Sequence, residues 1–388
     1  MSNEHNKYSM VWLPVKDQWR KLRRICKEQM FSMPMLHASW DLRLEKLQKL
    51  GNYVNRCSIN GQAVNIGEAA FITSLNLLSS TIFSVELAEF NSDCSQEFKN
   101  VVWGVMECLG SPNIADYFPL LKCCDPQGIS RRTKFYLEKF FAIVDVIIDQ
   151  RLQSRGTTVK NDILEALLDL NQKPEPGLSR DDIKHLLLDL FVAGTDTTSS
   201  TVEWAMAELL CNPNEIIRAR NEFKGVIGMN GLIQESVISR LPYLQAVGKE
   251  TFRLHPAAPL LPHKADANVE INGYMIPKNA KILVNVWASG RDSNTWSSPE
   301  SFMPERFLDR KTDFRGQDFE LIPFGSGRRL CLGFPLAYRM VHLMLATLLC
   351  NFEWKLEEGL KLEELDMSEK FGLTLQKAIP LKAFPIKL

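Results

Sequence analysis

The chain has 388 residues, 45% hydrophobic and 24% charged, with 46 acidic and 46 basic side chains. This composition excludes a disordered or collagen-like chain, and zero net charge gives no electrostatic argument for a nucleic-acid partner. The nine cysteines are odd in number and form no Cys-x-x-Cys pair, which argues against a disulfide framework or zinc site and for a reducing compartment.

The first residues, Ser2-Asn3-Glu4-His5-Asn6-Lys7, are polar and lack the apolar stretch of a signal peptide. No run approaches the ~20 apolar residues of a spanning helix, so the chain as given reads as unanchored. The first helical stretch is Trp19-Arg20-Lys21-Leu22-Arg23-Arg24-Ile25-Cys26-Lys27. Trp19 and Arg23 share one face, while Arg20, Arg24 and Lys27 line up on the next. Apolar spacing predicts helices over 36–54, 68–87, 97–110, 131–155 and 163–170, with a surface loop over 171–177. Cys123 and Cys124 read as core or loop thiols.

Ser179, with Asp182 three residues on, caps a long helix that runs to Leu210, where Asn212-Pro213 stops it. Within it lies Ala193-Gly194-Thr195-Asp196-Thr197-Thr198. Glycine, aspartate and threonine are poor helix formers, so a run of them in mid-helix needs a reason. Hydroxyls bonded back to helix carbonyls are one reason, and room for a flat ligand is another. Glu250 and Arg253 are three apart on a later helix, and Pro304-Glu305-Arg306-Phe307 follows. The prolines of 255–263 forbid helix there and leave Leu260 and Leu261 as pocket candidates. Strands are expected in 269–286, with an Asn272-Gly273 hairpin turn. A helix is expected over 334–349 and a final hairpin in 352–388.

The most informative stretch is Phe324-Gly325-Ser326-Gly327-Arg328-Arg329-Leu330-Cys331-Leu332-Gly333. It places one cysteine in a glycine-rich turn, beside two arginines and just before an apolar helix. Cations and a helix N-terminus favour the thiolate, and a thiolate is a suitable axial ligand for haem iron. The complete order Phe-x-x-Gly-x-Arg-x-Cys-x-Gly resembles the cysteine-ligand loop of the cytochrome P450 haem-thiolate monooxygenases. The resemblance covers about residues 12–388, and it implies that residues 1–388 form a single, N-terminally incomplete catalytic domain. The wording of 312–323 is similar to the plant microsomal branch that includes geraniol hydroxylases and diterpene oxidases.

The resemblance implies a mainly α fold with a small β region and haem b (iron protoporphyrin IX) between the Ala193–Thr198 segment and Cys331. Cys331 would be the metal ligand. Phe324, Gly327, Gly333, Ala193 and Gly194 would surround the cofactor, and Trp19, Arg23, Arg329 and His263 would meet its propionates. Asp196 and Thr197 would manage protons. Glu250, Arg253 and Arg306 would form a buried network behind the cysteine loop. Leu190, Phe191, Leu260, Leu261 and Leu373 would line the substrate pocket. The implied reaction inserts one atom of O2 into a lipophilic molecule such as a terpenoid. Electrons would come from NADPH through NADPH–cytochrome P450 reductase docked on Arg20, Lys21, Arg24 and Lys27, at the cytosolic face of the endoplasmic reticulum.

Two departures stand out. Leu332 replaces a proline common after the cysteine in plant members. The sequence also begins inside the loop over the haem, so the anchor, the first helix and part of the β-sheet of the family are expected to be missing, leaving strand edges unpaired. Two alternatives remain at this point: a haem-thiolate isomerase or dehydratase, and a truncated, catalytically silent relative.

Overall fold

The computed structural model describes residues 2–90, 96–155, 162–172, 177–226, 234–356 and 364–388. The helices among them are α1 (Asp17–Cys26), α2 (Met33–Ala38), α3 (Trp40–Asn60), α4 (Ile66–Phe83), α5 (Gln96–Gly110), α6 (Ile114–Tyr117) and α7 (Ile129–Ser154). They continue as α8 (Ile163–Asn171), α9 (Arg180–Cys211), α10 (Pro213–Val226), α11 (Pro242–Leu254), α12 (Val286–Ser289) and α13 (Phe334–Asn351). The strands are short: β1 (Val64–Asn65), β2 (Leu260–Lys264), β3 (Val269–Ile271), β4 (Tyr274–Ile276), β5 (Lys281–Asn285), β6 (Phe352–Lys355), β7 (Glu369–Lys370), β8 (Gln376–Lys377) and β9 (Lys382–Lys387). The chain is mainly helical, as the sequence predicts.

Helix ends follow local chemistry. Ser179 and Asp182 form a reciprocal capping box at the start of α9. The stretch expected as one helix over 36–54 is two, because the backbone leaves the helical path at Ser39 before α3 begins. α7 starts at Ile129 rather than 131, since the Asp125 carboxylate accepts from the amides of Ser130 and Arg131 (3.1 and 2.9 Å). Asn272 and Gly273, both at positive φ, turn β3 into β4 as an antiparallel hairpin. β2 pairs antiparallel with β5, and β9 pairs antiparallel with both β1 and β6. The expected tail hairpin is therefore formed by β6 and β9, with β7–β8 between them. Residues 357–363 of that tail and 173–176 of the expected loop lie outside the described residues.

α9 is the axis of the packing. It is buried on nearly every side and belongs to both large apolar clusters. One cluster joins it to α3, α10, α11 and α13; the other joins it to α1, α5, α7 and α8. α4 contributes to both clusters and runs antiparallel along α9. A Cβ on Gly67 would lie 2.6 Å from the Glu203 carboxylate, and one on Gly194 would lie 2.8 Å from Leu78 Cδ1. Among the described residues, α4 alone is long and apolar enough to cross a membrane, but 78% of it is buried inside the protein. Phe191 lies on the core side of α9. Fully buried, it packs against Phe83, Phe98 and Phe140 and does not reach the pocket assigned to it from sequence.

His342 on α13 is fully buried against Gly248 of α11. Its Nδ1 lies 2.6 Å from the Tyr338 carbonyl, and its Nε2 has no partner. Burial lowers its pKa from 6.5 to about 4. The unfolded chain therefore binds the proton more readily, and this site loses stability as pH falls from 6.5 to 4, with no further loss below. In urea unfolding, wild type is expected to lose more stability over that window than His342→Leu. Parallel curves would refute it.

Candidate active site

The cysteine loop is a sequence of turns stabilised from behind. Gly325 and Gly327 both take positive φ (74° and 64°), which an L side chain rarely adopts. The Cys331 amide closes the loop onto the Phe324 carbonyl (2.9 Å), and Ser326 Oγ donates to the Gly316 carbonyl (2.6 Å). Behind it, Phe324 packs among Phe252, Phe314 and Phe334. α13 begins just after the cysteine, with Pro335 in its first turn, where a missing amide costs nothing.

Cys331 faces a cavity of about 410 Å³. The accessible surface of Cys331 is part of the wall of this cavity. Burial raises its pKa, against the opposing pull of the Gly333 amide, the Arg23 guanidinium and the Phe334 amide. The same cavity is lined by Leu190, Ala193, Gly194 and Thr197 of α9, by Leu261 and His263 of β2, and by Trp19, Arg23 and Arg329. The Trp19 ring has the Arg23 guanidinium 4.9 Å and the Arg329 guanidinium 5.4 Å from its centre. Arg23 also donates to the Leu330 carbonyl (2.7 Å), tying α1 to the residue before the cysteine.

The hydroxyls of α9 bond back along the helix. Thr197 Oγ1 donates to the Ala193 carbonyl (2.7 Å), Thr198 to Gly194 (3.1 Å) and Thr201 to Thr197 (2.8 Å). Asp196 points the other way. Its carboxylate accepts from Thr374 and from Gln376 Nε2 (2.7 Å), outside the cavity lining, and burial raises its pKa.

Behind the cysteine loop, the fully buried Glu250 carboxylate accepts from Arg253 Nε (2.8 Å) and Nη2 (2.7 Å), Arg306 Nε (3.0 Å) and the Met303 amide (2.8 Å). Arg253 spends its remaining donors on the carbonyls of Gly290, Pro299 and Ser301.

A family profile described as Cytochrome P450 matches residues 1–381. The chain belongs to the cytochrome P450 family. It is 58% identical to a cytochrome P450 76T24 of Catharanthus roseus, over 100% of this chain and 78% of that protein. It is 49% identical to a carnosic acid synthase of Rosmarinus officinalis, over 99% and 78%, and 48% identical to a ferruginol synthase of Salvia miltiorrhiza, also over 99% and 78%. A solved zebra fish cytochrome P450 with progesterone shares the fold, with a TM-score of 0.81 at 23% identity over 98% of this chain and 85% of that one. Cytochromes P450 are haem-dependent monooxygenases, and this chain is one of them.

The residues present fit a haem. The cavity lining combines a thiol, small residues of α9, and two guanidiniums, an indole and a histidine as donors for two carboxylates. Several pocket and cofactor expectations need correction. Leu260 is 43% exposed and lies outside the lining, to which the next three residues of its strand, Leu261, Pro262 and His263, all contribute. Leu373 is 41% exposed and lies outside the lining; its loop tip sits against Gly110 at the end of α5. Gly327 shapes the turn without lining the cavity, while Gly325 does line it. A Cβ on Gly194 would strike Leu78, so that glycine also serves helix packing.

The sequence reading missed Met10 and Val11, which reach the cavity from the segment before α1, and Asp189 one turn before Ala193. It also missed Ser74 of α4, whose buried hydroxyl lines the cavity without a partner. Position 189 carries a signal: an aspartate among leucines on a helix buried all round.

Removing the Glu250 charge would leave two buried guanidiniums uncompensated. Glu250→Gln is expected to cost about 3–5 kcal/mol in chemical denaturation. A loss below about 1 kcal/mol would show that the network does not hold this region together.

Proposed function

We propose that the chain oxidises a lipophilic terpenoid, with Cys331 as the axial thiolate of haem b. One observation carries this reading. The Cys331 thiol, under the first amides of α13, opens into a largely apolar cavity that Ala193 and Thr197 also line. Terpenoid-oxidising relatives, ferruginol synthase and carnosic acid synthase among them, support the substrate class. The uninterrupted cysteine loop and the Asp196–Thr197 pair favour oxygen insertion over isomerisation.

Bound haem supplies the oxygen-activating chemistry. The protein does the rest. The Gly333 and Phe334 amides and Arg23 stabilise negative charge on Cys331 Sγ against the opposing effect of burial. Arg23, Arg329, Trp19 and His263 present donors for the propionates. Leu190, Ala193 and Leu261 exclude water and hold the apolar substrate against the wall. With its own hydrogen donated to Ala193, Thr197 Oγ1 offers lone pairs to a proton-bearing group in the cavity. Asp196, the preceding residue, has its pKa raised by burial and lies on the Thr374–Gln376 side of the helix.

Electrons would arrive from NADPH through a reductase. Arg20, Arg24 and Lys27 form an exposed basic face for such a donor, whereas the Lys21 ammonium is tied to the Gly177 carbonyl. By the same resemblance, the working location is the cytosolic face of the endoplasmic reticulum.

Reduced, carbon-monoxide-treated protein is expected to show the red-shifted Soret band of a thiolate-ligated haem, and Cys331→Ser to abolish it. A folded chain that takes up no haem would overturn the reading. Thr197→Ala is expected to lower the fraction of electrons that reach product and to slow product formation by about 100-fold, the low end for losing a positioned proton-transfer group. Unchanged coupling would remove Thr197 from proton delivery.

A further inference from the structure

Asp189 is a buried carboxylate, 6% exposed, in the wall of an otherwise largely apolar cavity. Such a group costs free energy unless donors meet it. Two do so from one side, and a histidine stands beside them. Ser9 Oγ donates to Oδ1 (2.7 Å), the Met10 amide donates to Oδ2 (2.7 Å), and His5 Nε2 lies 3.3 Å from Oδ1. His5 is itself backed by His185, Nδ1 to Nδ1 at 2.7 Å, and His185 is stacked under Tyr8 and edge-on to Phe141. The His185 contact turns the other ring nitrogen of His5 toward Asp189. The carboxylate is thus held in a fixed orientation by the segment that carries Met10 and Val11 to the cavity. That segment's other end is fastened by Arg329, which donates to the carbonyls of Val11 (3.2 Å) and Leu13.

A carboxylate offers about four acceptor sites. Ser9 and Met10 take one on each oxygen and His5 stands beside Oδ1, so a further site on Oδ2 remains, on a residue that lines the cavity. We infer that Asp189 anchors a hydroxyl group of the substrate, so that the substrate is a hydroxylated rather than a purely hydrocarbon terpenoid. This rests on the terpenoid reading above. The helix sets the spacing. Asp189, Ala193 and Thr197 follow at four-residue steps on one face, placing the carboxylate about 6 Å along the axis from Ala193 and about 12 Å from Thr197. The anchored hydroxyl and the oxidised carbon are then separated by roughly 6–12 Å, about the length of a monoterpenoid chain or a fused ring system.

The test is spectral titration of the haem-loaded protein with geraniol and with its methyl ether, which keeps the skeleton and loses the donor. Wild type is expected to bind the alcohol about 10-fold or more tightly than the ether, the low end for a hydrogen bond to a buried charge. Asp189→Asn is expected to bring the ratio close to one. Ser9→Ala, which loosens the segment but keeps the carboxylate, is expected to weaken both ligands and preserve the preference. Equal wild-type affinities would mean that water keeps the site, and would overturn the anchor alone. A preference that survives Asp189→Asn would do the same. No shift with either ligand, with the thiolate Soret band intact, would overturn the terpenoid reading and this inference together.

Discussion

The arrangement around the cysteine depends on a buried carboxylate with four donors. Glu250 belongs to α11, yet its partners lie on α11 itself, at Met303 and at Arg306. Through Arg253 the same group gathers the carbonyls of Gly290, Pro299 and Ser301, a stretch with little regular structure of its own. Irregular backbone is stable in a protein interior only if its polar groups are met. Here two guanidiniums meet them, and one carboxylate holds the guanidiniums. Phe252, two residues from Glu250 on α11, then packs on Phe324 and Phe314, so the charge network and the aromatic cluster position the cysteine loop from the same helix. The loop can therefore carry two positive-φ glycines and still present its thiol in one direction.

Much of this was legible in the sequence, because the decisive groups sit in short motifs whose internal spacing survives folding. The glycines around Cys331, the Glu250–Arg253 pair and the Ser179 capping box are of this kind. The side of an element a residue faces was less legible. A surface helix announces its inner face by amphipathic spacing, but α9 is buried all round and carries no such stripe. Leu190 and Phe191 are equally apolar neighbours about 100° apart on that helix, and only packing assigns one to the cavity and the other to the core. Leu260 and Leu261 differ in the same way on β2. Met10 and Val11 were invisible for another reason. Their position depends on Asp189 and Arg329, each far away in sequence.

The back-bonded hydroxyls of α9 have a consequence for the electrical character of the cavity. Each threonine facing the interior has given its hydrogen to a carbonyl of its own helix, so the surface it turns inward is lone pair. Asp189, two turns before Thr197, is an acceptor as well. Trp19, Arg23 and Arg329, in the same lining, are rich in N–H groups. The cavity thus carries both hydrogen-rich cations and bare oxygens. A guest with carboxylates for the first and a hydroxyl or water for the second is matched by both. One that presents only acceptors meets a wall with little to offer it. Selectivity of this kind needs no steric gate. It is written into the direction in which a few hydroxyls point.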